Sequence, residues 1–169
     1  MQRQRSVVLK SPREIETMWG ANQHVAEILL KCCEQTTPGI STWDIDQICR
    51  EELRTRELTS PFLGYHGYPA VVCTSVNEEI VHGIPRKDKV LSEGDIIGID
   101  FGVVYKGYVG DSARTIVVGD KTLEEAQTLI DVTKRSLDAA IEVVTSAHRI
   151  SDIGKRVQGI ADAGGYGIV

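Results

Sequence analysis

The chain has 169 residues, 41% hydrophobic and 25% charged, the size and make-up of one globular domain or of a piece of a larger one. A formal net charge of -5 excludes nucleic acid as the main partner, since phosphate binding needs clustered Lys and Arg; the sparse run of Arg3, Arg5 and Arg13 reads as a solvated amino-terminal arm. No stretch approaches the roughly 18 apolar residues of a membrane helix, and MQRQRSVVLK has no apolar core for secretion, so no membrane partner and a cytoplasmic location are expected.

Ser11-Pro12-Arg13-Glu14 is a capping box with proline at the first helical position. Ile15, Met18, Val25, Ile28, Leu29 and Cys32 then recur at helical spacing, predicting a helix over 11–35. Thr37-Pro38-Gly39 ends it, and Ser41 or Thr42 caps a second helix through Ile45, Ile48, Cys49, Glu52 and Leu53. Residues 58–69 read as loop. The runs 70–76 and 79–84 are β-rich and separated by Asn77-Glu78, and the runs 95–104 and 108–118 flank Lys106-Gly107, so two hairpins are expected. Thr122-Leu123-Glu124-Glu125 is a further capping box, opening a helix through Leu129, Val132, Leu137, Ala140, Ile141 and Val144. A shorter helix is expected over 151–163.

Trp43-Asp44-Ile45-Asp46 and Ser151-Asp152-Ile153-Gly154 each follow a long helix and a short linker and each open a second helix. This suggests one helix-helix-hairpin unit over about 11–119 and the start of another over about 120–169, with 164–169 approaching its first strand. The four cysteines, Cys32, Cys33, Cys49 and Cys73, show no C-x-x-C spacing and read as reduced packing thiols.

If Lys106-Gly107 is a two-residue hairpin loop, Tyr105 faces Tyr108, Gly102 faces Asp111 and Asp100 faces Ala113. Asp100 and Asp111 are then diagonal neighbours on one face, roughly 7–8 Å apart at Cα, within reach of one cation or two adjacent ones. Ile97, Ile99, Phe101 and Val103 fall on the other face, and Gly98 and Gly102 leave cleared space beside Asp100. Two like charges this close repel, and a metal would compensate best. Two other readings stand beside it: Arg114 or Lys106 pairs with the acids, or Asp111 simply ends a turn after Gly110. The order Asp100-Phe101-Gly102 also occurs in protein kinases, but no HRD loop or Gly-rich ATP loop accompanies it.

Asn77-Glu78-Glu79-Ile80-Val81-His82-Gly83-Ile84-Pro85 sets His82 at a predicted strand end, where a catalytic group or an ordinary surface histidine can stand. With Glu93-Gly94-Asp95 leading to Asp100, and Gly107 to Thr115 carrying G-x-x-G-D-S-A-R-T, the whole pattern resembles the type I methionine aminopeptidases. Gly64-Tyr65-His66-Gly67-Tyr68-Pro69 and Pro38-Gly39 extend the match over essentially the whole chain.

The resemblance implies the pita-bread α/β (α+β) architecture, two pseudo-symmetric halves around a two-metal centre. It implies that Asp100 and Asp111 are metal ligands, that His82 contacts substrate and assists at the scissile amide, and that Tyr65, Tyr68 and Cys73 line the methionine pocket. Phe62 stands where many bacterial relatives carry a small residue. The implied reaction removes the initiator methionine from nascent chains or peptides whose second residue is small. Two divalent ions, drawn from Co, Mn, Fe, Zn or Ni, would lower the pKa of a water and polarise the scissile carbonyl. Hard aspartate oxygens suit such ions.

The family completes its centre with one histidine and two glutamates from its second half, none of which occurs here, so three of five ligands are absent. Ser146-Ala147-His148-Arg149 also departs from the family's usual Pro-Gly turn, and His148 lies on the outer linker. Three expectations follow: a truncated methionine aminopeptidase, a half-chain that rebuilds a site by self-association or with a second-half partner, or a non-catalytic relative that binds peptides or partners.

Overall fold

A computed structural model describes residues 8–145 and 147–169. Arg3, Arg5 and Ser146 lie outside the described residues. By contacts the chain divides into two compact units, one ending at Gly119 and one spanning Asp120–Val169.

In the first unit, helix α1 (Pro12–Gln35) is followed by α2 (Thr42–Thr55) and a three-stranded sheet. The Ser11 side chain accepts the Glu14 amide, and Glu14 reaches back to the Ser11 N–H at 2.7 Å, so the predicted capping box forms. Asp44 does the same for Ser41, which settles the cap of α2 on Ser41. α1 buries Ala21, Val25, Ile28, Leu29 and Cys32, while Ile15, expected on that stripe, is exposed one turn past the sheet-facing residues. Ion pairs of Lys31 with Glu52 and of Arg56 with Glu27 tie the two helices.

Strands β1 (Val72–Val76), β2 (Ile96–Tyr105) and β3 (Tyr108–Val117) form an antiparallel sheet in that order. The β2–β3 hairpin has the predicted register, with Tyr105 opposite Tyr108, Gly102 opposite Asp111 and Asp100 opposite Ala113. Lys106 and Gly107 both have positive φ, 50° and 81°, which matches the twist of the strands they join. Ile97, Ile99, Phe101 and Val103 are fully buried on the face packed against α1.

The first expected hairpin does not form, because β1 pairs with β2 and residues 79–84 are not a strand. Val81 and His82 have φ of 43° and 55°, outside the extended region, and the Glu79 carboxylate takes the Val76 amide. The Asn77 side chain donates to Asp95 and accepts from the Ile96 amide, which ties the end of β1 to the start of β2. Residues 84–91 then run beside the start of α2, where Leu91 N donates to Ile40 O at 2.8 Å and Arg86 N to the Thr42 hydroxyl at 2.9 Å. The loop over 58–69 contains one short 3-10 turn, Tyr65–Gly67.

In the second unit, α3 (Glu124–Glu142) packs on α4 (Ile150–Ala163). The N-cap position of α3 is Leu123, one residue later than the predicted Thr122, and it carries no side-chain cap hydrogen bond. It buries Val132, Ser136, Ala139 and Ala140, while Leu129, Leu137, Ile141 and Val144 of the predicted apolar stripe are exposed. Asp152 accepts the Arg149 N-cap amide at 2.8 Å, as Asp44 accepts that of Ser41, and α2 and α4 are both 14 residues long. Residues 164–169 form no strand.

Candidate metal and substrate site

The face of the sheet turned away from α1 carries the candidate residues because strand alternation leaves no other outlet for them. Asp100 stands at the middle of β2, with Cys73 of β1 opposite on one side and Ala113 of β3 opposite on the other. Asp111 lies diagonally across, opposite Gly102.

Burial pushes the half-buried Asp100 carboxyl up to about 6, and the charge of Asp111 and a side-chain hydrogen bond between the two acids add to the rise. His82 opposes it, so its ring lies near the pair. Among the described residues no Lys or Arg forms an ion pair with either acid. Arg114 belongs to the opposite face, opposite Ile99, and the Lys106 ammonium sits 4.7 Å above the Tyr105 ring, so neither is the counter-charge considered above. Two hard carboxylates, one of them half-buried and neither paired with a described Lys or Arg, fit a divalent ion. Among the described residues no group of three or more His, Cys, Asp or Glu side chains is arranged to hold a metal.

His82 stands on a strained bend rather than at a strand end. The bend is held to β1, where Thr74 N donates to Gly83 O at 2.9 Å and Gly83 N donates to the Ser75 hydroxyl at 3.2 Å. A Cβ at Gly83 would lie 2.1 Å from the Thr74 carbonyl oxygen, so only glycine permits this approach. The Tyr68 hydroxyl lies 3.0 Å from both the Val72 and the Gly83 carbonyl oxygens, donating to one at a time. Burial raises the Tyr68 and Cys73 pKa values, and the neighbouring Cys73 thiol adds to the rise at Tyr68.

Tyr68, Cys73, His82, Asp100 and Asp111 are therefore brought together. Tyr65 is 68% exposed, its ring lies edge-on against His66, and its carbonyl accepts the Tyr68 amide at 2.9 Å. The space expected beside Asp100 at Gly102 is filled: a Cβ there would meet Pro61 at 2.9 Å and Phe62 at 3.1 Å. Phe62 thus borders the position opposite Asp111. His148 is exposed and bonded to the Thr145 hydroxyl. Cys32 and Cys49, read as reduced packing thiols, are free and buried and meet in the core with sulfurs 3.3 Å apart, a long-range contact that no spacing in the sequence marks.

Two aspartates on one sheet face, with the bend that carries His82 held to the edge strand, make a donor set suited to a divalent metal. The chain belongs to metallopeptidase family M24, whose profile matches residues 16–169. Membership implies dependence on divalent metal.

The chain is 44% identical over 167 residues to a methionine aminopeptidase of Aquifex aeolicus, covering 95% of this chain and 64% of that protein. It is 36% identical to the methionine aminopeptidase of Escherichia coli, covering 97% of this chain and 62% of that one. The crystal structure of the Thermotoga maritima methionine aminopeptidase superposes with a TM-score of 0.89 at 37% identity, over 94% of this chain and 63% of that one. The expected resemblance and pita-bread fold therefore hold, and the chain spans somewhat under two thirds of the length of these relatives.

Proposed function

We propose that this chain carries the aspartate-bearing part of a methionine aminopeptidase centre, acting on peptides or nascent chains that begin with methionine. The observation that carries the reading is that Asp100 and Asp111 share one sheet face with Cys73, beside the bend of His82 that Tyr68 and β1 hold through Gly83. Asp100 and Asp111 would hold the ion or ions, drawn from Co, Mn, Fe, Zn or Ni. Such ions, when bound, supply a lowered water pKa and a polarised amide carbonyl.

His82, on its rigid bend, is placed to donate a hydrogen bond to the scissile amide. Tyr68, Cys73 and Phe62 bound one side of the space where a methionine side chain would lie, and we assign Tyr65 to its outer rim. Residues 11–119 correspond on this reading to one helix-helix-hairpin unit, and residues 120–169 to the start of a second. Among the described residues no helix is long and apolar enough to cross a membrane, and we place the activity in the cytoplasm, where new chains emerge.

The test is release of free methionine from Met-Ala-Ser, with and without added Co or Mn. Slow, metal-dependent release that Asp111→Asn abolishes is expected, because the two carboxylates are a partial ligand set. Absence of both release and metal-dependent binding of Met-Ala-Ser would overturn the proposal.

A further inference from the structure

We infer that Asp46 of α2, together with Arg50, is a positioning residue for the substrate side of this centre, an inference that rests on the functional reading above. Asp46 is only 3% exposed, and both of its oxygens are engaged. Oδ1 accepts the Val71 amide at 2.8 Å, and Oδ2 accepts Arg50 Nε at 2.6 Å. Arg50 Nη2 in turn donates to the Pro69 carbonyl at 3.2 Å. One acid-base pair on a helix therefore grips a distant bend by its carbonyl at one end and its amide at the other. The Val71 amide lies just before β1, where ladder pairing has not begun, so the carboxylate stands where a strand partner would.

The grip sits between two candidate site residues. Tyr68 immediately precedes Pro69, and Cys73, opposite Asp100, follows two residues after Val71. The Tyr68 hydroxyl passes the placement on to Gly83, next to His82. An i,i+4 ion pair that served only α2 would lie in solvent, where such pairs contribute little. Here it is turned inward onto the backbone that carries Tyr68 and Cys73. A planar guanidinium can bond Asp46 and Pro69 at once; an ammonium lacks that fork.

The experiment compares the wild-type chain with Arg50→Gln, Arg50→Lys and Asp46→Asn. It measures Mn affinity by electron paramagnetic resonance, affinity for Met-Ala-Ser in the presence of Mn, and the NMR signals of the Tyr68 and His82 rings. Each variant is expected to weaken Met-Ala-Ser binding about tenfold or more, the scale of lost outer-shell support, and to shift both ring signals while leaving Mn affinity unchanged. Unmoved ring signals, or a parallel loss of Mn and peptide affinity, would overturn the inference. If the wild-type chain binds no Met-Ala-Ser, the functional reading fails, and the ring signals alone still decide the positioning role. The Arg50 variants alter a half-exposed side chain and keep the test standing if Asp46→Asn does not fold.

Discussion

Asp111 stands diagonally across the β2–β3 ladder from Asp100, near enough for its charge to raise the Asp100 carboxyl. Burial is the larger cause of the high Asp100 pKa and the Asp111 charge the next, and among the described residues no Lys or Arg pairs with either acid. At neutral pH the fold tolerates this repulsion, and a divalent cation relieves it.

Asp111→Asn removes one of the two like charges. In metal-free buffer at neutral pH the variant is expected to melt higher by about 2–4 °C, the shift that ~1 kcal/mol produces in a chain of this size. The increase in melting temperature that Mn gives the wild-type chain should disappear. Differential scanning calorimetry with and without Mn checks both outcomes.

The hairpin that holds this pair was legible from residues alone, because a two-residue Lys106-Gly107 turn and strict alternation of Ile97, Ile99, Phe101 and Val103 admit a single register. The neighbouring hairpin was misread for a physical reason. Residues 79–84 have strand-like side chains, but Glu79 and Asn77 use their polar groups to close the end of β1, and Val81 and His82 turn left-handed. β1 then takes the free edge of β2, a partner more than twenty residues away. The capping box of α1 and the start of α2 at Ser41 or Thr42 were readable because they are local. The Asp46–Val71, Tyr68–Gly83 and Cys32–Cys49 contacts join distant segments and leave no pattern in the sequence.

Gly83→Ala forces a methyl group onto the Thr74 carbonyl, where the backbone cannot yield without losing the Thr74–Gly83 hydrogen bond. A loss of about 1–3 kcal/mol is expected from overpacking of this kind. Urea denaturation gives the magnitude. Amide hydrogen exchange should show Thr74 losing protection while Ile99 and Phe101, in the buried strand, keep theirs.

Burial pushes the Cys33 thiol up to about 11 from its ordinary value of 9.0, against a small opposing effect of Arg114. The folded state therefore favours the neutral thiol. Its stabilising contribution is fully present below the unfolded pKa and is lost as pH rises through about 11. In mildly alkaline solution the native Cys33 should react with iodoacetamide roughly a hundredfold more slowly than in urea, since only the thiolate attacks. Mass spectrometry of the labelled peptide over time measures the ratio.

Phe101→Ala empties the largest fully buried side chain, directly behind Asp100 on the strand that carries it. A cost of about 3–5 kcal/mol is expected from the lost burial and the cavity. Chemical denaturation measures the cost, and the same variant should bind Mn more weakly even where it remains folded, because β2 no longer holds Asp100 rigidly.

Mn titration of the wild-type chain, Asp100→Asn and Asp111→Asn, followed by electron paramagnetic resonance at neutral pH, tests the metal assignment most directly. The expected result is bound Mn in the wild-type chain and its loss in both variants. Equal binding by all three proteins would contradict the assignment of Asp100 and Asp111 as the metal-holding pair.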